Sequence, residues 1–393
     1  AVADRKGNIW IGTDVGLYHY TRHDLQYYFD TSHLISAYIK GVAIKNGNVL
    51  AGGLGGVTVL RDGVKKETLE TINGLPSQYV NCVSVSPDGA VWIGTDVGIL
   101  RVYNNGSKSL RFSRRWLLHD KVNQIVFDKN GTAWVATQGG VSAIHCKQMT
   151  LADKEQYFYE VTMQRHVREP WIVGQCRLPN INDVTKWEPE DDDNDGEYGG
   201  NYLAMECFRY AVTKSNDAKE KAKKMFDFLK LLQEITGTDG FFARTVVPVS
   251  WGDNVHDKNV KYTDRELAEE LVKEPRFKPV ENRWHKSKDG RWLWKGDTSS
   301  DEWCGHMMGY FFYYELVADK KEKQVVAKHV AKLVDHLIRN NFNMIDIDGE
   351  HTRWSVWSPD KLNRDPEWMP DRHQNSMEVL AFLKLAFYMT GNN

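Results

Sequence analysis

Adjacent carboxylates at Asp301 and Glu302, with His306 four to five residues further on, give this chain its most chemically suggestive short motif. Two acids at the start of a helix can serve as general acid and base for glycosidic cleavage, or can simply satisfy loop amides. Tyr198, Tyr202 and Tyr310 offer a second chemistry. A phenol whose proton is drawn off by nearby cations can take a carbon-bound proton beside a carboxylate and return a proton to a leaving oxygen. Arg244, Arg353, His306 and His351 are the cations that would lower such a phenol and bind an acidic sugar. Tyr202, with Tyr198, His306 and Arg244, makes up the catalytic candidate set. Asn201, Asp301, Glu302, His351, Arg353, Trp354 and Asn375 are the candidate substrate contacts. Asp191, Asp193 and Asp195, followed by Gly196, match positions 1, 3, 5 and 6 of a calcium loop, but position 12 is Tyr202 where a bidentate Glu is required. A structural calcium, an acidic cap on the next helix, and direct contact with sugar hydroxyls all remain open for this loop.

These groups sit where helices begin. From residue 197 onward two helix types alternate. Ala218, Ala222, Met225, Phe226, Leu229 and Leu232 form one stripe with Lys and Glu between, and Val326, Val330, Leu333, Val334 and Leu337 form another. By contrast, 303–317 and 377–389 are apolar nearly all round, as helices wrapped by others are. The spacing predicts helical hairpins at 198–213 with 216–236 and at 299–318 with 322–340. A third begins near His373, and an extra helix covers 150–168. This is the order of an α/α toroid (six-hairpin barrel type), about half of it present. The loops between are rich in Trp (251, 284, 292, 294, 354, 357, 368), whose faces suit sugar rings.

Before residue 148 a different rule governs. Gly-x-x-Trp-(Ile/Val)-(Gly/Ala)-Thr occurs at Gly7, Gly89 and Gly131, with a worn copy at Gly47, at spacings of 40, 42 and 42 residues. A period near 40 of short alternating strands and Gly turns marks β-propeller blades. Blade boundaries are expected near Gly47, Gly89 and Gly131, with each Trp packed between blades. The domain reading is propeller blades at 1–148, a junction at 149–196 and a partial toroid at 197–393.

The 393 residues suffice for two domains, and a net charge of −2 without a basic tract points away from nucleic acid. No apolar run reaches the length of a membrane span. Five cysteines without a CxxC read as buried small hydrophobes. The chain opens inside a repeat and closes on a helix without its partner. A piece of a longer protein is therefore expected, its missing start carrying an export signal.

The sequences Asp193-Asn194-Asp195-Gly196, Asp297-Thr298-Ser299-Ser300-Asp301-Glu302 with His306, Thr352-Arg353-Trp354 and Asn375-Ser376 resemble a family of propeller-plus-toroid proteins of gut Bacteroidetes. Its characterised members are polysaccharide lyases that remove terminal L-rhamnose from D-glucuronate on arabinogalactan. The resemblance implies a Tyr base (Tyr202 preferred), an arabinogalactan-type partner, no required cofactor and a periplasmic or extracellular location. The alternatives are a toroid glycoside hydrolase using Asp301 or Glu302, and a non-catalytic glycan-binding or sensor protein.

Overall fold

The computed structural model describes residues 1–181 and 183–392. It divides into two compact units, Ala1–Met149 and Thr150–Asn393.

The N-terminal unit is built of antiparallel meanders with propeller-type blades. Strands β1–β4 (Val2–Ala3, Ile9–Gly12, Leu17–Tyr20, Leu25–Tyr28) form the first sheet. β5–β8 (Ile39–Lys45, Asn48–Gly53, Gly56–Arg61, Val64–Leu69) form the second, and β9–β12 (Val80–Val85, Val91–Thr95, Gly98–Val102, Lys108–Arg111) the third. The fourth has three strands, β13–β15 (Val122–Phe127, Ala133–Thr137, Gly140–Ile144). The repeating motif now has a physical account. Its first Gly takes φ near +80° (83, 79, 82 and 81° at Gly7, Gly47, Gly89 and Gly131), closing the hairpin between a blade's first and second strands. These glycines therefore lie within blades, and the expected boundaries at Gly47, Gly89 and Gly131 are corrected.

The motif's second Gly is where the next blade presses in. A Cβ on Gly52 would fall 2.6 Å from Val80 and Val83, and one on Gly94 2.6 Å from Val122. The motif Thr ties the following turn, Thr95 Oγ1 donating to Gly98 O (2.9 Å) and Thr137 Oγ1 to Gly140 O (2.8 Å). Trp10 packs with Leu17, Ile39, Val49 and Leu60, and Trp92 with Val122, Ile125 and Val135, so both bridge adjacent sheets. Trp134 is exposed.

Eight helices appear among the described residues of the C-terminal unit. They are α1 (Leu151–Arg165), α2 (Asp195–Thr213), α3 (Asn216–Glu234), α4 (Asp264–Lys273), α5 (Ser300–Leu316), α6 (Lys320–Arg339), α7 (Pro359–Arg364) and α8 (Arg372–Thr390). The long ones fall where periodicity placed them. Between the expected helical hairpins lie strands that the alternation of two helix types did not foresee, a three-stranded sheet and a hairpin. The sheet is β20 (Val246–Pro248), β22 (Trp292–Lys295) and β21 (Trp284–Lys286), and the hairpin is β23 (Asn343–Ile345) with β24 (His351–Val356). Two small pairs, β16–β17 (Val167–Arg168, Ile172–Val173) and β18–β19 (Cys176–Arg177, Glu188–Pro189), precede α2.

Helices α2 and α5 touch backbone to backbone. A Cβ on Gly200 would collide with Gly305 O, and one on Gly309 would lie 3.1 Å from Gly200. Leu203, Phe226, Leu229, Trp303, Met307, Val330 and Leu333 fill the core around this contact. Among the described residues, no helix is long and apolar enough to cross a membrane. Cys82 and Cys207 are buried as expected, but Cys146 is exposed.

Candidate functional site

The short strands deliver side chains to the helix starts. The loop before α2 brings Asp193 and Asn194, and the segment between α3 and β20 brings Arg244. Asp257 and Arg283 come from the long connection before β21, Ser299, Ser300 and Asp301 from the start of α5, Arg353 and Trp354 from β24, and Gln374 from α8. Together they line a cleft of about 650 Å³.

Its floor is a lattice of opposed charges. Arg244 meets Asp193 Oδ2 at 3.2 Å, Arg283 meets Asp257 at 3.0 Å and buried Asp297 at 2.8 Å, and Lys295, 1% exposed, pairs with Asp193 and with Asp257 at 2.9 Å. Burial alone would raise the Asp193 carboxyl, but Arg244, Lys295 and Arg283 outweigh it and hold it below the usual range. Three cations and three carboxylates thus offset one another. Arg353 is different. Its backbone N–H donates to Asp297 Oδ1 (2.8 Å) and its guanidinium to Lys278 O (2.9 Å). Among the described residues that guanidinium has no carboxylate partner, and its buried Nε has no hydrogen bond. Among the described residues Arg353 and Asp301 thus both face the cleft without an ion-pair partner, beside the Trp354 indole.

Asp301 is the helix-start carboxylate that faces the cleft, held by Ser299 Oγ; Asn194, with its amide oriented as its neighbours require, donates to Asp301 Oδ2 (3.1 Å). Glu197 lies close to it. Burial, and then the charges of Asp301 and Asp192, push the Glu197 carboxyl up. One acid biased toward its protonated form next to another carboxylate is a general acid–base pair in outline.

The candidate catalytic and substrate-contact residues do not all line one cavity. Arg244, Asp301, Arg353, Trp354 and Asp193 come together. Tyr198 lines a neighbouring cavity of about 420 Å³ with His166, Gln175 and Cys176, its hydroxyl accepting from Gln175 (3.2 Å) and also bonded to Asn194. Burial and nearby Asp192 and Glu197 raise its pKa, the reverse of the cation-lowered phenol expected. Tyr202 is corrected as a cleft residue. It lies roughly 10 Å along the axis from Asp195 at helical rise, buried, with its hydroxyl donating to Glu206 (2.7 Å). Burial and Glu206 drive its pKa far up.

His306 and Tyr310 are fully buried one and two turns into α5, His306 Nδ1 bonded to Tyr310 Oη (2.8 Å) and His329 Nε2 to the same hydroxyl (3.0 Å). Burial, and then His329, bring His306 down to about 3. Glu302 is also fully buried beneath Gly196, its carboxyl pushed well up by burial. Neither His306 nor Glu302 lines the cleft. Asn201 is exposed and caps Glu197 O, His351 bonds Thr352 O, and buried Asn375 bonds Val356 O. These three serve the backbone.

In the acidic loop the three candidate calcium ligands have other partners. Asp191 accepts from His256 N (3.1 Å), Asp193 from Lys295, and Asp195 from Arg168 (2.6 Å) and Thr245, so the three carboxylates face separate partners. Among the described residues no group of three or more His, Cys, Asp or Glu is arranged to hold a metal ion. Sequence reasoning missed Asp257, Arg283 and Lys295. A Lys closing the Trp292-Leu293-Trp294-Lys295 strand, where an apolar side chain would pack, was the available signal.

Residues 74–97 match a family model described as the two component regulator propeller. No curated protein matches the chain. The extracellular domain of a hybrid two component system from B. thetaiotaomicron is similar at 24% identity, TM-score 0.33, over 36% of this chain and 20% of that one. A second such domain from that organism shows 20% identity and TM-score 0.33, over 37% of this chain and 22% of that one. Virginiamycin B lyase from Staphylococcus aureus shows 14% identity and TM-score 0.30, over 37% of this chain and 55% of that one. The chain spans about a fifth of the length of the two extracellular domains.

Proposed function

We propose that the C-terminal unit binds a uronate-bearing glycan in the cleft and cleaves it by β-elimination. On this reading the linkage broken joins terminal L-rhamnose to O4 of D-glucuronate in arabinogalactan. The observation that carries the reading is Arg353, a guanidinium without a carboxylate partner among the described residues, in one cleft with Trp354 and Asp301. A uronate carboxylate paired with Arg353 loses its charge, and the C5 proton next to it becomes more acidic. Asp301 takes that proton, the C4–O4 bond breaks as the 4,5 double bond forms, and the departing rhamnose oxygen takes a proton from Tyr198, which adjoins the cleft through its hydrogen bond to Asn194. Tyr198 suits the donor role because its surroundings keep the phenol protonated.

The reading treats the C-terminal unit as part of an α/α toroid. The wrapped helices α2 and α5, each followed by an amphipathic partner in α3 and α6, support it. It also places the protein outside the cytoplasm, where such glycans are met.

Hydrolysis is the second reading, favoured by Glu197 and Asp301 as a carboxylate pair with Glu197 biased toward the acid form. One incubation separates the two. With glucuronate-capped arabinogalactan, elimination yields free rhamnose and an ultraviolet-absorbing unsaturated uronate. Hydrolysis yields rhamnose and a saturated glucuronate. Release of no rhamnose ends both readings and leaves a binding protein.

A further inference from the structure

Two ligand-facing side chains of β24, Arg353 and Trp354, are each braced by the same short segment, residues 276–278. The Arg276 guanidinium lies 5.1 Å from the Trp354 ring centroid and 4.8 Å from that of Trp368, stacked between them, and is ion-paired to Asp371. The next residue, Phe277, lies under the Arg353 guanidinium at 4.7 Å, and the Lys278 carbonyl accepts from Arg353 (2.9 Å). Lys278 is itself pinned to Asp348 at 2.7 Å. Arg276 covers one face of Trp354 and leaves the rest of the indole to the cleft.

We propose that Arg276-Phe277-Lys278 is a positioning segment that fixes a two-part ligand site. In that site Arg353 takes a carboxylate, and Trp354 takes the apolar face of a neutral sugar joined to the acid. The proposal rests on the functional reading above and extends it by assigning the two halves of the ligand to two separately braced side chains. The bracing matters because a flexible Arg and a free indole would each lose conformational entropy on binding, and residues already held by stacking and hydrogen bonds lose less. Arg276 is a positioning residue: it acts through Trp354 and Trp368.

The test uses the full chain, with D-glucuronate and the rhamnosyl-glucuronate disaccharide as probes and calorimetry as the readout. R276A should weaken disaccharide binding about five- to ten-fold, the scale of one lost cation–π stack, and leave free glucuronate nearly unchanged. F277L should weaken both probes, and R276K should recover part of the loss. Disaccharide binding by R276A equal to wild type overturns the proposal. If the wild-type chain binds neither probe, the functional reading fails on its own, and fluorescence then decides the positioning. The emission assigned to Trp354, taken as the difference with and without W354F in each background, must shift between wild type and R276A. An unshifted emission overturns the proposal in that case.

Discussion

The N-terminal unit buries mainly Trp, Val, Leu and Ile between sheets, with Arg101 its one buried charge among the described residues, whereas the C-terminal unit buries Asp195, Glu206, Lys295, Asp297, Glu302, His306 and His329. In the first, burial follows a repeat: the first three blades each present the motif's second Gly to the next blade, so one sentence of sequence states the packing three times. In the second, charges are buried in mutually dependent sets, and no residue's role can be read without its partner. A stack of largely apolar blades is stable mainly through area. A lattice such as Asp193–Lys295–Asp257–Arg283–Asp297 is stable only while complete, since removing one member strands another charge.

That contrast is sharpest at Asp301. Asp301→Asn keeps size and hydrogen bonding but removes the proton acceptor facing the cleft. Turnover on a uronate-capped glycan should fall by about 100- to 10,000-fold, the range for a general base. Thermal stability should hardly move, because this carboxylate is half-exposed. Kinetics and a melting curve on one preparation check both halves. Activity near wild type would show that the cleft carboxylate is not the base and would direct attention to Glu197.

How far the sequence could be read follows the same division. The four-fold motif announced the blades, and the structure added why each letter is there: the hairpin Gly with positive φ, the blade-facing Gly, and the Thr that ties the next turn. Helices α3 and α6 were legible because one face is wet. The site was half legible. Arg244, Asp301, Arg353 and Trp354 announced themselves by position at helix starts and in a Trp-bearing loop. Tyr202, Glu302 and His306 carried the same chemistry but not the direction: Glu302, next to Asp301, is rotated about 100° away from it, and Tyr202 and His306 lie one to two turns further along their helices. The partners Asp257, Arg283 and Lys295 come from stretches tens of residues apart, and only the fold brings them to Asp193.

Trp92 and Trp134 test the apolar side of the comparison. They occupy equivalent motif positions, yet Trp92 is 1% exposed between sheets and Trp134 is 44% exposed. Trp92→Ala should cost about 3–5 kcal/mol and Trp134→Ala less than about 1 kcal/mol. Denaturant melts of the two variants measure this. Equal losses would mean that the repeat position, rather than the neighbouring sheet, sets the energy.

His329 tests the polar side, with the smallest effect. Burial, and then Lys230 and Lys332, lower its pKa from 6.5 to about 3, so the folded state holds it neutral. A base whose folded pKa is depressed contributes stability above its unfolded pKa, and that contribution is lost as pH falls from about 6.5 toward 3, because the unfolded chain takes up the proton first. Its neighbours are the Tyr310 hydroxyl, the Phe226 ring, Lys230 and Lys332; no carboxylate is paired with it among the described residues. Going from pH 7 to pH 5 should therefore cost about 2 kcal/mol through this side chain alone. Buried Glu302 works in the opposite sense, since a raised acid favours the fold as pH falls, so the total trend mixes the two. The difference between wild type and His329→Gln removes that mixture: the variant should be less stable at pH 7 and lose about 2 kcal/mol less on acidification. Among the described residues the N-terminal unit buries no histidine, so the same pH change should leave its unfolding unaffected by this route. Parallel pH dependence in wild type and variant would show that His329 is protonated, or reaches water, within the folded unit.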